Sequence, residues 1–341
     1  MREPIAHETL ELGDFPLRCG ETLRDARLAY VCFGRLDAAR SNVVVLPTAY
    51  GGTHLDNEWM IGAGRVLDPA RWFIVAPNLF GAGLSSSPSR AHAAQSGPNF
   101  PHVDLYDNVA AQHRLVVDHF GATRIALVAG FSMGAQQAYH WAAFAPDFVE
   151  RIAPICGSAR TAEHNRVFLE SIETTLRTDP AFANGAYTNP PLAGQRAVAR
   201  VWAAWGCSQT FYREERWRTL GFETREAFVA ENYDAEFGAA DANDLLAMLH
   251  AWHSADIGSL ERYAGNTNAA LAAIRARAIV MPSRTDLYFP PEDSVLEVAA
   301  MHDAELAVIE SVYGHAAGGG LDPGAYEFIG AQIARLLAAC A

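Results

Sequence analysis

Short, almost wholly apolar runs recur along this chain, and helical patterns lie between several of them. The runs are Asn42–Leu46, Arg71–Ala76, Arg124–Ala129, Arg151–Ile155, Ala278–Met281 and Leu306–Ile309, the fourth weakened by Pro154. Unbroken apolarity over so few residues suits a strand covered on both faces; a sheet with one wet face would alternate instead. Helical patterns cover Leu105–Phe120 and Met133–Ala145. Strands alternating with helices predict an α/β fold: a mostly parallel sheet with helices on both faces. A hairpin of Phe15–Cys19 and Leu23–Phe33 is expected ahead of it.

The alternation stops between residues 160 and 270. That stretch reads as helices alone: Glu163–Arg177, Gly194–Cys207, Arg213–Leu220, Arg225–Phe237 and Ala242–Ser254. It carries Trp202, Trp205, Trp217 and Trp252, four of the seven tryptophans. A helical insertion is the simplest account, giving a sheet domain of residues 1–159 and 271–341 and a cap of 160–270 that closes over a site as a lid does. Helices that merely extend the core are the competing reading, and core packing is the first expectation for the tryptophans.

Composition narrows the class. With 341 residues and half of them apolar, the chain builds an ample core without metal or disulfide staples. The formal net charge of −13 argues against nucleic acid or an anionic membrane as partner. No apolar run is long enough to span a bilayer, and Met1–Glu8 has no apolar targeting segment. The five cysteines, Cys19, Cys32, Cys156, Cys207 and Cys340, form no Cys-x-x-Cys pair. An odd count fits reduced thiols and a cytoplasmic location.

The sharpest local signal is Gly130-Phe131-Ser132-Met133-Gly134, set between a strand run and a helical pattern. Strand, Gly-x-Ser-x-Gly, helix is the pattern of a nucleophile elbow, which exposes a serine hydroxyl on a strained turn at a helix N-terminus. A capping serine in an ordinary βα turn competes with it. A serine nucleophile needs a base, and the base an orienting acid, in the chain order Ser, Asp, His. Asp286 follows the run Ile279–Met281, and His315 follows the last strand run. Asp293 and Asp303 compete for the acid but fall in or after the next helix, Pro291–His302. His54, His102 and His140 compete for the base, but none follows the last strand. An oxyanion hole would draw one amide from Met133 and another from Ala49 or Tyr50 in the loop Pro47–His54, Tyr50 also being a candidate substrate contact. No cofactor is expected and no metal: His250 and His253 make only two of the ligands that a zinc site needs.

These motifs together resemble the homoserine O-acetyltransferase family of α/β hydrolases. The resemblance runs from Tyr30 to His315. It takes in Gly34–Asp37, Gly51-Gly52-Thr53-His54, Pro77–Gly81, Phe131–Gly134 with Gln136-Gln137, Asp241-Ala242-Asn243 and Asp286–Pro291. It implies the α/β-hydrolase fold, a triad of Ser132, Asp286 and His315, oxyanion amides of Ala49 and Met133, and a homodimer formed through the cap. The acetyltransferases read Gly-His-Asp at the catalytic histidine, where that Asp helps hold the amino group of homoserine. Here the run is Gly314-His315-Ala316, and Phe131 stands where many transferases have glycine. Esterase members of the family are the better match. The expectation is a hydrolase of small acyl esters, chiefly acetates, acting through an acyl-enzyme. An O-acyltransferase using acyl-CoA is the alternative, and a non-catalytic binding protein on the same fold is a third reading.

Overall fold

The protein is described by a computed structural model covering residues 6–338. Its strands are β1 (Glu8–Pro16), β2 (Thr22–Phe33), β3 (Val43–Val45), β4 (Phe73–Pro77), β5 (Ile125–Phe131), β6 (Arg151–Ile155), β7 (Arg277–Val280) and β8 (Ala304–Leu306). They form one eight-stranded sheet in the order β1-β2-β4-β3-β5-β6-β7-β8. The β1–β2 and β2–β4 pairs are antiparallel and all others parallel. Helices α1 (Leu105–His113) and α2 (Met133–Phe144) connect the central strands. Seven more lie between β6 and β7: α3 (Glu163–Arg177), α4 (Leu192–Gly206), α5 (Gln209–Arg213), α6 (Arg225–Val229), α7 (Ala235–Ala239), α8 (Ala242–His253) and α9 (Thr267–Ala273). Helices α10 (Pro291–Ala300) and α11 (Pro323–Ala338) follow.

Successive strand residues enter opposite cores, which is why the runs are apolar throughout. Val43 and Val45 join one cluster with Ala138 and Trp141 of α2. Val44 joins the other with Ile329 and Ile333 of α11. Ala278, Ile279 and Val280 divide in the same way. Helix α2 is buried along nearly its whole length, so it shows little amphipathic contrast. A third cluster belongs to the inserted helices: Phe168, Leu169, Ile172 and Leu176 line one face of α3 at helical spacing and pack with Leu245, Leu249 and Trp252 of α8. The chain enters and leaves this insertion side by side, with the Thr161 amide donating to Ala255 and the Ile257 amide to Ala159.

Some elements differ from expectation. The first strand runs over Glu8–Pro16, and Cys19 lies in the turn after it, closed by amide bonds of Leu17 and Gly20. This edge strand is mostly exposed, so polar residues hid its pattern. The last strand is Ala304–Leu306 rather than Leu306–Ile309. Pro282 offers no N–H, so the ladder from β7 stops short and resumes only as a single pairing of Ser283 with Ile309. The helix expected over Arg213–Leu220 breaks at Glu215, whose φ is +52°. The pattern over Leu105–Phe120 is helical throughout, but it widens to a π-helical turn at Arg114–His119. Cys340 lies outside the described residues.

Glu297 of α10 ties the sheet to the insertion. Its carboxyl accepts from the Tyr139 hydroxyl at 2.8 Å and from the Ala159 amide at 2.6 Å. Burial pushes this carboxyl from 4.5 up to about 8. Between those values the folded state holds a proton that the unfolded chain releases, so stability falls as pH rises across that window. Glu297→Gln cannot ionise and keeps an acceptor. It is expected to gain stability relative to the parent between pH 5 and pH 8, read as the difference in Tm at the two pH values.

Candidate active site

Ser132 ends the turn between β5 and α2 with φ +58° and ψ −123°, a conformation rarely open to a residue with a side chain. Three glycines make it possible. A Cβ on Gly130 would sit 2.4 Å from the carbonyl of Gly134; one on Gly134, 2.6 Å from the Pro47 carbonyl oxygen; one on Gly157, 2.7 Å from the Ser132 carbonyl oxygen. The Ser132 amide donates to Ile155 on β6 at 2.9 Å, which fixes the turn to the sheet.

Asp286 and His315 come from the loops after the last two strands and meet Ser132 at the same sheet edge. His315 Nε2 lies 2.9 Å from Ser132 Oγ, and Nδ1 lies 2.7 Å from Asp286 Oδ2. The Asp286 side chain is fully buried. Its Oδ1 accepts from the amides of Tyr288 and Phe289 at 2.8 and 3.2 Å. With both Asp286 oxygens acting as acceptors, the hydrogen between Nδ1 and Oδ2 is the imidazole's to donate, and Nε2 faces the Ser132 hydroxyl.

Aromatic rings to which no role was assigned from the sequence complete the setting. The Phe131 ring lies 4.6 Å from the His315 ring, Tyr288 packs edge-on at 4.8 Å and Phe289 at 5.6 Å. Cys156, in left-handed backbone at φ +48°, stands behind the acid. Its Sγ, an Asp286 carboxylate oxygen and a His315 ring nitrogen all lie within 4.8 Å of one another. Burial first, then the Asp286 carboxylate, push the thiol's pKa up. A Cβ on Gly318 would meet Cys156 Sγ at 2.6 Å and the Phe131 ring at 2.7 Å, which accounts for the small residues after His315.

The loop Pro47–Tyr50 faces the N-terminus of α2. Ala49 sits in it, and Thr48 is tied by its hydroxyl, which accepts from the Leu79 amide at 3.0 Å. Tyr50 stacks on Trp202 of α4 at 4.6 Å, and its buried hydroxyl has no hydrogen-bond partner among the described residues. Trp205 stacks on Tyr288, and Trp252 on Phe289, so with Trp202 three tryptophans of the insertion press on the rings around His315. Trp217 packs apart from them, against Phe211 and Tyr212. Beside Tyr50 and Gly51 opens a cavity of about 760 Å³, in which Asp56, Glu231, Glu236, Asp241 and Asp244 accompany a single Arg90 among the described residues.

The competing histidines lie elsewhere, and the His102 ring sits 6.5 Å from that of His250. His54 contacts Asn78, and His140 Nδ1 lies 2.7 Å from the Gln136 carbonyl. His250 and His253 pair with Glu173 and Glu170, each at 3.2 Å.

The α/β hydrolase fold family matches residues 42–204. An ethyl acetate hydrolase of Pseudomonas veronii is 38% identical over 97% of this chain and 95% of its own. This chain belongs to the homoserine O-acetyltransferase family of α/β hydrolases. Within that family it lies nearer the esterases. The structure of an acetylester hydrolase from Corynebacterium glutamicum matches with a TM-score of 0.94 and 36% identity, covering 97% of this chain and 96% of that one. A homoserine O-acetyltransferase of Leifsonia xyli is more distant, 31% identical over 96% of this chain and 88% of its own.

Proposed function

We propose that the protein is a serine esterase of short acyl esters, acetates foremost. The reading rests on the continuous hydrogen-bonded path from Ser132 through His315 to Asp286. The Ser132 oxygen attacks the ester carbonyl carbon as its proton passes to His315 Nε2. The negative charge that develops on the carbonyl oxygen is met by the amides of Met133 and Ala49, a contribution of about 3–4 kcal/mol per donor. Asp286 holds the imidazole and stabilises its cation. The tetrahedral species collapses, Nε2 returns the proton to the departing alcohol, and Ser132 carries the acyl group. Water then attacks that ester, giving its proton to Nε2, and the acid leaves as Ser132 is restored. Residues 160–270 act as the cap over this site, with Tyr50 on the substrate side.

Hydrolysis is favoured over transfer to an amino-acid acceptor by Ala316. An ammonium entering a partly buried site needs a counter-charge, and this side chain has none. The acidic cavity beside Tyr50 also repels a polyanion such as CoA. We place the protein in the cytoplasm, supported by Cys19, Cys32, Cys156 and Cys207 being unpaired, and as a homodimer through the cap. No described helix is long and apolar enough to cross a membrane. The test compares p-nitrophenyl acetate with acetyl-CoA, the latter with and without homoserine. Hydrolysis of the ester with no homoserine-dependent release of CoA is expected; CoA release that depends on homoserine would overturn the esterase reading.

A further inference from the structure

Behind the reacting atoms runs a buried chain of side-chain amides that the mechanism above does not use. Trp141, Gln112, Gln137 and Thr48 are all essentially inaccessible to solvent. The Trp141 indole N–H lies 2.7 Å from Gln112 Oε1, and Gln112 Nε2 lies 2.6 Å from Gln137 Oε1. Gln137 Nε2 lies 2.9 Å from the Thr48 carbonyl oxygen and 3.2 Å from that of Met133.

The direction of every bond in this chain follows from its first member. An indole N–H only donates, so Gln112 must present oxygen to Trp141 and nitrogen to Gln137. Gln137 must then accept through oxygen and donate both of its amide hydrogens, which is what two carbonyls require. Those carbonyls are not arbitrary. The Thr48 carbonyl belongs to the peptide whose N–H is that of Ala49. In a trans peptide the two groups point in opposite directions, and no cis peptide is present among the described residues. Drawing the Thr48 carbonyl toward Gln137 therefore turns the Ala49 N–H away from it. The second carbonyl is that of Met133, one helical turn before Gln137; it lies in the peptide that follows the Met133 N–H, the other expected donor, so this contact holds the segment rather than that N–H itself. One nitrogen thus joins the two halves of the oxyanion site.

We infer that Gln137 is a positioning residue that holds the Ala49 and Met133 segments in register for an oxyanion, and that Trp141, acting through Gln112, sets its direction. Stability alone is a poor reason for such a chain, since a buried polar network can be replaced by apolar groups of like shape at little cost. Preorganised amides are what the reaction needs, because they act only if already aimed when charge develops. The inference rests on the esterase reading above.

The test uses Gln137→Met, close in shape to the parent, and Trp141→Phe, which removes the indole N–H together with one buried ring. Rates are taken on p-nitrophenyl acetate and normalised to active sites counted from the burst of p-nitrophenol. For Gln137→Met, kcat is expected to fall roughly 10- to 100-fold with KM within about threefold, part of the loss seen when an oxyanion donor is removed outright. Affinity for a boronic acid, which forms a tetrahedral adduct on serine, should fall by a similar factor. Trp141→Phe, which leaves Gln137 in place, should give the same split on a smaller scale, roughly 3- to 10-fold. A purely structural role would lower Tm and the count of active sites but leave kcat per site unchanged, and that result overturns the inference. If Gln137→Met does not fold, kcat per site in Trp141→Phe decides alone. Ser132→Ala separates the two claims: activity surviving in it sinks the esterase reading, whereas an inactive Ser132→Ala beside unimpaired Gln137→Met and Trp141→Phe sinks only the relay.

Discussion

Ser132→Ala is expected to lower kcat on p-nitrophenyl acetate by a factor on the order of 10⁴–10⁶ while the protein stays folded. In the proposed mechanism the hydroxyl is the attacking group, and nothing else within the hydrogen-bonded path can replace it. His315→Ala should cost a similar factor, and the double variant should lose little more than either single one, because the serine and its base act as a unit. Additive losses would mean that the two side chains work separately, against their 2.9 Å contact. Stability carries a second reading of the same residue. At φ +58° a side chain is strained, at a cost on the order of 1–3 kcal/mol, and alanine retains that strain where glycine does not. Ser132→Gly should therefore unfold at a higher Tm than Ser132→Ala, both being inactive. Equal Tm values would deny that the turn stores strain.

Gly130→Ala is expected to be among the most damaging single methyls in the protein. Its Cβ would lie 2.4 Å from the carbonyl carbon and oxygen of Gly134, both backbone atoms inside a turn already fixed on either side. The clash can be relieved only by moving α2 away from β5, which displaces Ser132 and opens the packing beneath it. A loss above about 4 kcal/mol is expected, large enough to leave little folded protein. Denaturant unfolding of soluble material, or failure to recover any, measures it. Gly319→Ala is the control: its nearest neighbour would be a Phe131 ring atom at 3.4 Å, ordinary contact, and its backbone is not left-handed. A stable, active Gly130→Ala would refute the account of the elbow.

The two variants probe features of different legibility. The elbow is local: strand run, two glycines, serine and helix occupy one stretch, and the serine's role follows from their order. Asp286 and His315 are legible for a related reason. In a parallel sheet every strand ends at the same edge, so an acid and a histidine that follow consecutive strands arrive together. Phe131 is harder. It reads only as a departure from glycine, yet its ring packs on His315 and requires glycine at 318. Cys156 carries no signal beyond being one thiol among five, because its partners come from the loops after β7 and β8. The breaks in the predicted helices and the shortened last strand were likewise hidden, the former in backbone angles and the latter in what Pro282 cannot donate.

By itself, then, the sequence determined the covered sheet, the helical interruption and the order of serine, acid and base, since each is written as a periodicity or a short spacing. Tertiary structure alone decided what surrounds them. It set the ring packing on His315, the thiol behind Asp286, the tryptophans of the insertion over the site and the amide chain from Trp141 to Thr48. The physical reason is distance along the chain. Gln137 meets Thr48 across 89 residues and Ser132 meets His315 across 183, so these contacts exist only once the strands have been laid side by side.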